Sequence, residues 1–144
     1  KIPFLSRKGQ SFHAIAKNKW WDQDFYNDLV GPALHANLEV ETWEHGKIPS
    51  PADSDKIHKV TAMKSVDLNP LNIPFSWSEE FDHAKLAISD SSEKIHWVCV
   101  GDINFTISQE RRGGGTVAYQ CEPLWKELDR ILTVKDIKKK KRVS

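Results

Sequence analysis

Two short apolar runs, KLAIS (85–89) and IHWVCVG (95–101), stand on either side of the polar turn DSSEK (90–94). Runs this short, bounded by turn residues, are too brief for helices, and a five-residue connection leaves them room only to lie side by side as strands. Everything else in the chain must be arranged around that pair. NLEVETW places Leu38, Val40 and Thr42 on one side of a third strand. IHKVTAM reads as a fourth, with Ile57 and Val60 less strictly spaced, and TVAYQC as another after Gly113-Gly114-Gly115. PLWKELDRIL predicts a final helix, with Pro123 suited to its first position and Leu124, Leu128 and Leu132 recurring every fourth residue. GQSFHAIAKNKWWDQDFYNDLVGPALHA predicts two helical pieces, Phe12, Ile15 and Ala16 spaced for one and Phe25, Leu29 and Val30 for the other. Asp22 serves as N-cap of the second piece, and Gly31-Pro32 interrupts it. Pro70–Glu80, rich in Pro, Asn and Ser, is expected to be loop. Strands with about three helices give an α/β fold with a mixed sheet flanked by helices.

The 144 residues suffice for one domain with a real core, and 39% hydrophobic with 28% charged residues is ordinary for a globular protein. No apolar run approaches the roughly 18–20 residues of a membrane span. The chain starts without Met or a signal-like segment and is expected to be a mature or excised piece. The net charge of +1 conceals a divided layout. The tail KDIKKKKRVS (135–144) carries six basic residues and one acid, which leaves 15 basic against 19 acidic groups, net −4, in residues 1–134. Residues 1–134 are therefore taken as the domain and 135–144 as a solvated, disordered basic tail, with nucleic-acid contact or nuclear targeting as its other readings. An acidic body is a poor partner for a polyanion at neutral pH. Below about pH 5 its histidines charge and part of its carboxylates protonate, so a nucleic-acid ligand would favour acidic conditions. Cys99 and Cys121 have no metal-ligand spacing and fit either one disulfide or two buried thiols.

The chemistry lies between Phe81 and Thr116. His83 and Lys85 stand two apart, so an extended backbone puts an imidazole and an ammonium on one surface, an arrangement suited to phosphate. Asp90 follows four residues after Lys85, then come Gly101-Asp102-Ile103-Asn104. This H-x-K-x4-D…G-D-x-N order resembles the phospholipase D superfamily. Asp82-His83-Ala84-Lys85, Trp97-Val98-Cys99-Val100-Gly101-Asp102-Ile103-Asn104, Arg112-Gly113-Gly114-Gly115-Thr116 and Leu124-Trp125, in that order, resemble its deoxyribonuclease II branch more closely. The similarity extends upstream through GQSFHAIAK, DQDFYNDLVGPAL and LEVETW and covers about Phe4 to Leu132.

The resemblance implies a phospholipase D-like half-domain and a lysosomal or secreted endonuclease that cleaves DNA to 3′-phosphate ends at acidic pH, with neither metal nor other cofactor. His83 would be nucleophile or acid, Lys85 the phosphate clamp and Asn104 the donor to a phosphate oxygen. Asp102, Arg112, Gly113 and Gly114 would support the site or bind substrate, and Cys99 and Cys121 would pair. Asp90 is read as a turn residue. His13, His35, His45, His58 and His96 are read as surface or structural. Asn104-Phe105-Thr106 also spells a glycosylation sequon, and the catalytic reading of Asn104 is preferred to it. The superfamily builds its site from two H-x-K motifs and this sequence has one, matching the C-terminal half. A missing N-terminal half or a second copy would complete it. The rivals are a family member that binds nucleic acid without turnover, and a metal-dependent nuclease using His83, His96 and Asp102.

Overall fold

The computed structural model describes residues 1–43, 46–49 and 57–134. The basic tail and His45 lie outside them. Nine strands form one mixed sheet: β1 (Ile2–Leu5), β2 (Ser11–Lys17), β3 (Leu38–Thr42), β4 (Val60–Asp67), β5 (Ser76–Ser78), β6 (Lys85–Ser89), β7 (Trp97–Gly101), β8 (Gly114–Gln120) and β9 (Leu132–Val134). Their order is β1-β2-β8-β7-β6-β3-β4-β5, with β9 also against β4. Among the described strands only β3 and β4 run parallel; every other pair is antiparallel. The mixed α/β architecture expected from the sequence is present. The hairpin of the two short runs stands as read, with Ala87 opposite Cys99. Asp90 holds its turn, its Oδ1 accepting from the Ser92 N–H at 2.8 Å and the Ser92 hydroxyl at 2.6 Å.

Each sheet face buries a helical layer. On one face a π-helical turn, Tyr26–Val30, runs directly into α1 (Gly31–Leu34) and packs on Ile15, Leu38, Val40, Ala87 and Cys99. On the other, α2 (Glu122–Ile131) packs through Trp125 against Met63, Ile88 and Val98. The Trp125 indole N–H donates to the Ser89 carbonyl at 2.8 Å, satisfying its one polar group inside the core. Among the described residues no helix is long and apolar enough to cross a membrane.

Several expectations are corrected here. Ser11–Lys17 is strand β2, not a helix. The spacing of Phe12, Ile15 and Ala16 fits a helical turn, but Ile15 and Lys17 also share one side of a strand, and pairing with β8 (Ile15 opposite Thr116, Ala16 opposite Gly115) supplies a ladder that a helix would forfeit. The second piece is helical from Tyr26, with Phe25 at its cap position, and Asp24 just before it accepts the Asn27 N–H on its Oδ1 at 2.6 Å. Asp22 instead pairs with Arg111 at 3.1 Å. Pro70–Glu80 contains the edge strand β5. In α2, Pro123 is the second residue, and Leu124 is exposed while Trp125 takes the core position. Cys99 and Cys121 are free thiols. Cys99 sits in the core opposite Ala118, three residues short of Cys121, which has left β8 to cap α2. Burial pushes the Cys99 thiol up to about 12, which makes it unreactive in the folded chain.

Candidate active site

Antiparallel neighbours bring one end of the sheet together from distant parts of the chain: the ends of β2, β3 and β7 and the starts of β6 and β8. All the sequence-assigned phosphate groups stand at this end. His83 is exposed, just before β6, with its imidazole stacked on Trp43 at 4.6 Å between ring centroids and 25° between planes. The Trp43 N–H donates to the Glu80 carbonyl at 3.1 Å, so the stacking surface is itself anchored. Asp82 rigidifies the same segment. Its Oδ1 accepts the Ala84 N–H at 2.7 Å and its Oδ2 the Trp77 indole N–H at 2.6 Å. Lys85 is half-buried on the first residue of β6 and turns its ammonium back onto the His83 carbonyl. Histidine and lysine thus share one short, braced segment.

Burial lowers the Lys85 pKa most, and the Arg112 guanidinium lowers it further, against an opposing pull from Asp82. An ammonium held partly off water and repelled by a second cation is stabilised by an anion. Arg112 is exposed, and its Nη1 donates to Gln109 Oε1 at 3.0 Å.

Asn104 stands between two pinned neighbours. The Tyr26 hydroxyl donates to the Ile103 carbonyl at 2.7 Å inside the core, and the Phe105 N–H donates to Thr42 Oγ1 at 3.0 Å. The Asn104 Oδ1 is buried without a hydrogen-bond partner among the described residues. That leaves a buried polar atom of the amide for a group outside these residues. Asp102 is committed elsewhere: its Oδ1 accepts the Gly115 N–H at 2.8 Å, stapling the loop after β7 to the start of β8. The glycines serve that close crossing. A Cβ on Gly114 would collide with the Asp102 carboxylate, and one on Gly115 would lie 2.6 Å from the Ile15 carbonyl oxygen. Gly113 lies beside the backbone of Lys19.

The metal rival's trio does not assemble. His96 precedes β7 and stacks on Trp125 at 4.0 Å, whereas Asp102 lies past the far end of that strand. Among the described residues no three His, Cys, Asp or Glu side chains converge as metal ligands. Sequence reasoning passed over Trp43 and Lys17. Lys17 is buried at 8% exposure and binds the Gln109 and Glu110 carbonyls, holding the turn that leads to Arg112. The available signal was a lysine and a tryptophan each ending an apolar strand.

A second charged group bears on the acidic-pH expectation. Glu39, buried on β3, is pushed up to about 7 by burial, then by Asp90 from the β6–β7 turn and Asp129 from α2. A carboxyl raised on folding costs nothing below its unfolded value near 4.5 and costs the full amount above 7. Glu39→Gln is therefore expected to stabilise the fold by on the order of 2 kcal/mol at pH 8 and by almost nothing at pH 4.5. Urea denaturation at the two pH values reads this directly, and equal gains at both would contradict it.

The deoxyribonuclease II family model matches residues 1–137. A putative deoxyribonuclease-2 of Burkholderia pseudomallei is 51% identical over 127 residues, covering 88% of this chain and 35% of that protein. Deoxyribonuclease-2 of Caenorhabditis elegans is 38% identical over 132 residues, covering 92% of this chain and 34% of its own length. Deoxyribonuclease-2-alpha of Rattus norvegicus is 32% identical over 126 residues, with 87% and 35% covered. The chain therefore spans about a third of the length of the curated relatives it matches. With a match over nearly its whole length, this chain belongs to the deoxyribonuclease II family.

Proposed function

We propose that this chain is the C-terminal, phospholipase D-like half of an acid endodeoxyribonuclease that works without metal through a phosphohistidine. The observation that carries the reading is the convergence of His83, Lys85, Arg112 and the pinned Asn104 at one end of the sheet, in a chain of this family. In the first step a histidine nitrogen attacks phosphorus and the P–O5′ bond breaks. An imidazolium protonates the departing oxygen. Water then attacks the phosphohistidine and releases a 3′-phosphate end. Lys85 offsets charge on the equatorial oxygens and the Asn104 amide donates to one of them. Two histidines are required and His83 is one, as nucleophile or acid; the other belongs to a second H-x-K half, from the rest of the protein or a second copy.

The open side of the sheet supports a second half. Val100 and its cross-strand partner Val117 are 55% and 38% exposed on the face that α2 covers only in part. The acid preference suits a lysosomal or secreted protein in an acidic compartment. Asn104 is kept for phosphate rather than a glycan; the Thr106 hydroxyl of the sequon is already bonded to Ser108 at 3.1 Å.

Plasmid nicking at pH 5 in excess EDTA, on the full-length gene product and on this chain alone, tests the reading. The full-length product is expected to cleave and the lone chain to be slower by at least about a hundredfold, since general acid–base catalysis of that size is lost with one histidine. Equal rates would assign the second histidine to another copy of this chain. No cleavage by the folded full-length product at any pH would leave a nucleic-acid-binding protein on a nuclease fold.

A further inference from the structure

The six tryptophans are alike in sequence and not in structure. Trp97 and Trp125 are buried, Trp21, Trp43 and Trp77 are half-buried, and Trp20 is 80% exposed. A single exposed indole is unremarkable by itself. Trp20 differs in three ways. Its backbone is fixed, because the Asn18 side-chain oxygen accepts the N–H groups of both Trp20 and Trp21, at 2.9 and 3.2 Å. One face of its ring carries the Lys19 ammonium, 4.6 Å from the ring centroid. And the turn that presents it stands beside the candidate active site: a Cβ on Gly113 would lie 3.4 Å from the Lys19 backbone nitrogen. Arg112 precedes that glycine and acts electrostatically on Lys85. The Lys19–Trp20 turn therefore lies against Gly113, next to Arg112 in the chain, at the end of the sheet that also carries the start of β6 and Lys85.

We infer that Trp20, backed by Lys19, is a nucleobase-stacking subsite flanking the phosphate site. This inference rests on the nuclease reading above and adds where the substrate is held. A solvent-facing indole on a held backbone offers one ring face to a base, and the cation on its other face is placed for a neighbouring phosphate. Every base has a π-face, so such contacts hold a nucleic acid with little sequence preference. The base must be unstacked to reach Trp20, which favours a frayed or single-stranded nucleotide next to the cleaved bond.

The test uses the full-length gene product carrying His83→Ala to stop turnover, at pH 5 in EDTA, with a single-stranded oligonucleotide of about 12 nucleotides. Adding Trp20→Ala is expected to weaken binding by roughly tenfold or more, and Trp20→Phe by no more than about threefold. The Trp20→Ala effect should vanish with an abasic oligonucleotide of the same length. Lys19→Ala should instead reduce the salt dependence of log Kd by about one. If the His83→Ala protein binds the oligonucleotide and Trp20→Ala binds it equally well, the subsite is overturned and the nuclease reading stands. If neither binds DNA while both remain folded, both fall together.

Discussion

His83→Ala in the full-length gene product is expected to lower plasmid nicking at pH 5 by at least about a thousandfold, with little change in stability. The size follows from the role: a residue that forms the covalent bond to phosphorus, or protonates the leaving oxygen, takes its whole step with it, and general acid–base contributions alone reach about 10²–10⁴-fold. The unchanged stability follows from the location. His83 is exposed, and its side chain stacks only against Trp43 among the described ring contacts, so its removal opens no cavity. DNA affinity should survive, because Lys85 and Arg112 remain. Trp43 separates positioning from chemistry. Trp43→Phe keeps a flat ring under the imidazole and should retain most of the rate; Trp43→Ala frees the imidazole and should lower kcat more than KM. A His83→Ala protein that keeps a tenth of the wild-type rate would remove this residue from the mechanism.

The chemistry-bearing order of residues was legible because motifs survive as spelling even where geometry is unknown. The β6–β7 hairpin and α2 were legible because their apolar spacing agrees with their surroundings. Strand β2 was not. Its seven residues satisfy either period, and the choice is made a hundred residues away, where Gly114 and Gly115 let β8 lie close enough to pair. Strand β1 pairs only with β2 and leaves Ile2 and Leu5 largely exposed, so it carries no amphipathic signal of its own. The disulfide was misread for a related reason. Pairing it required a register shift in β8, and the register that puts Cys99 opposite Ala118 shows none. In the site, His83, Lys85 and Asn104 were named from sequence, while Trp43 and Trp20 gained meaning only from what lies beside them. The Asp102 contact, its carboxylate on the Gly115 N–H, likewise could not be read from the spelling of the motif.

That staple makes the glycine run the second place where a small change should have a large effect. Gly115→Ala is expected to cost about 3 kcal/mol and to lower the melting temperature by roughly 10 °C. The added Cβ would stand 2.6 Å from the Ile15 carbonyl oxygen and 3.0 Å from the Ala16 Cβ, and backbone on a paired strand cannot step aside. Gly114→Ala meets side chains instead of backbone: Asp102, which is exposed and can rotate away, and the buried Ile103, whose Cγ1 would lie 2.9 Å from the new Cβ. Its cost is the lost hydrogen bond to the Gly115 N–H, about 1–1.5 kcal/mol, together with the shift forced on the Ile103 side chain. The two variants should therefore rank oppositely in two assays. Gly115→Ala destabilises more, and Gly114→Ala harms catalysis more for each degree lost, because releasing Asp102 loosens the loop that holds Asn104. Removing one obstacle checks the cause: in the Asp102→Ala background the further cost of Gly114→Ala should fall, leaving only the part owed to Ile103. If Gly115→Ala melts with the wild type, Ala16 cannot lie opposite Gly115. The register that sets Lys19 and Trp20 beside Arg112 then fails with it.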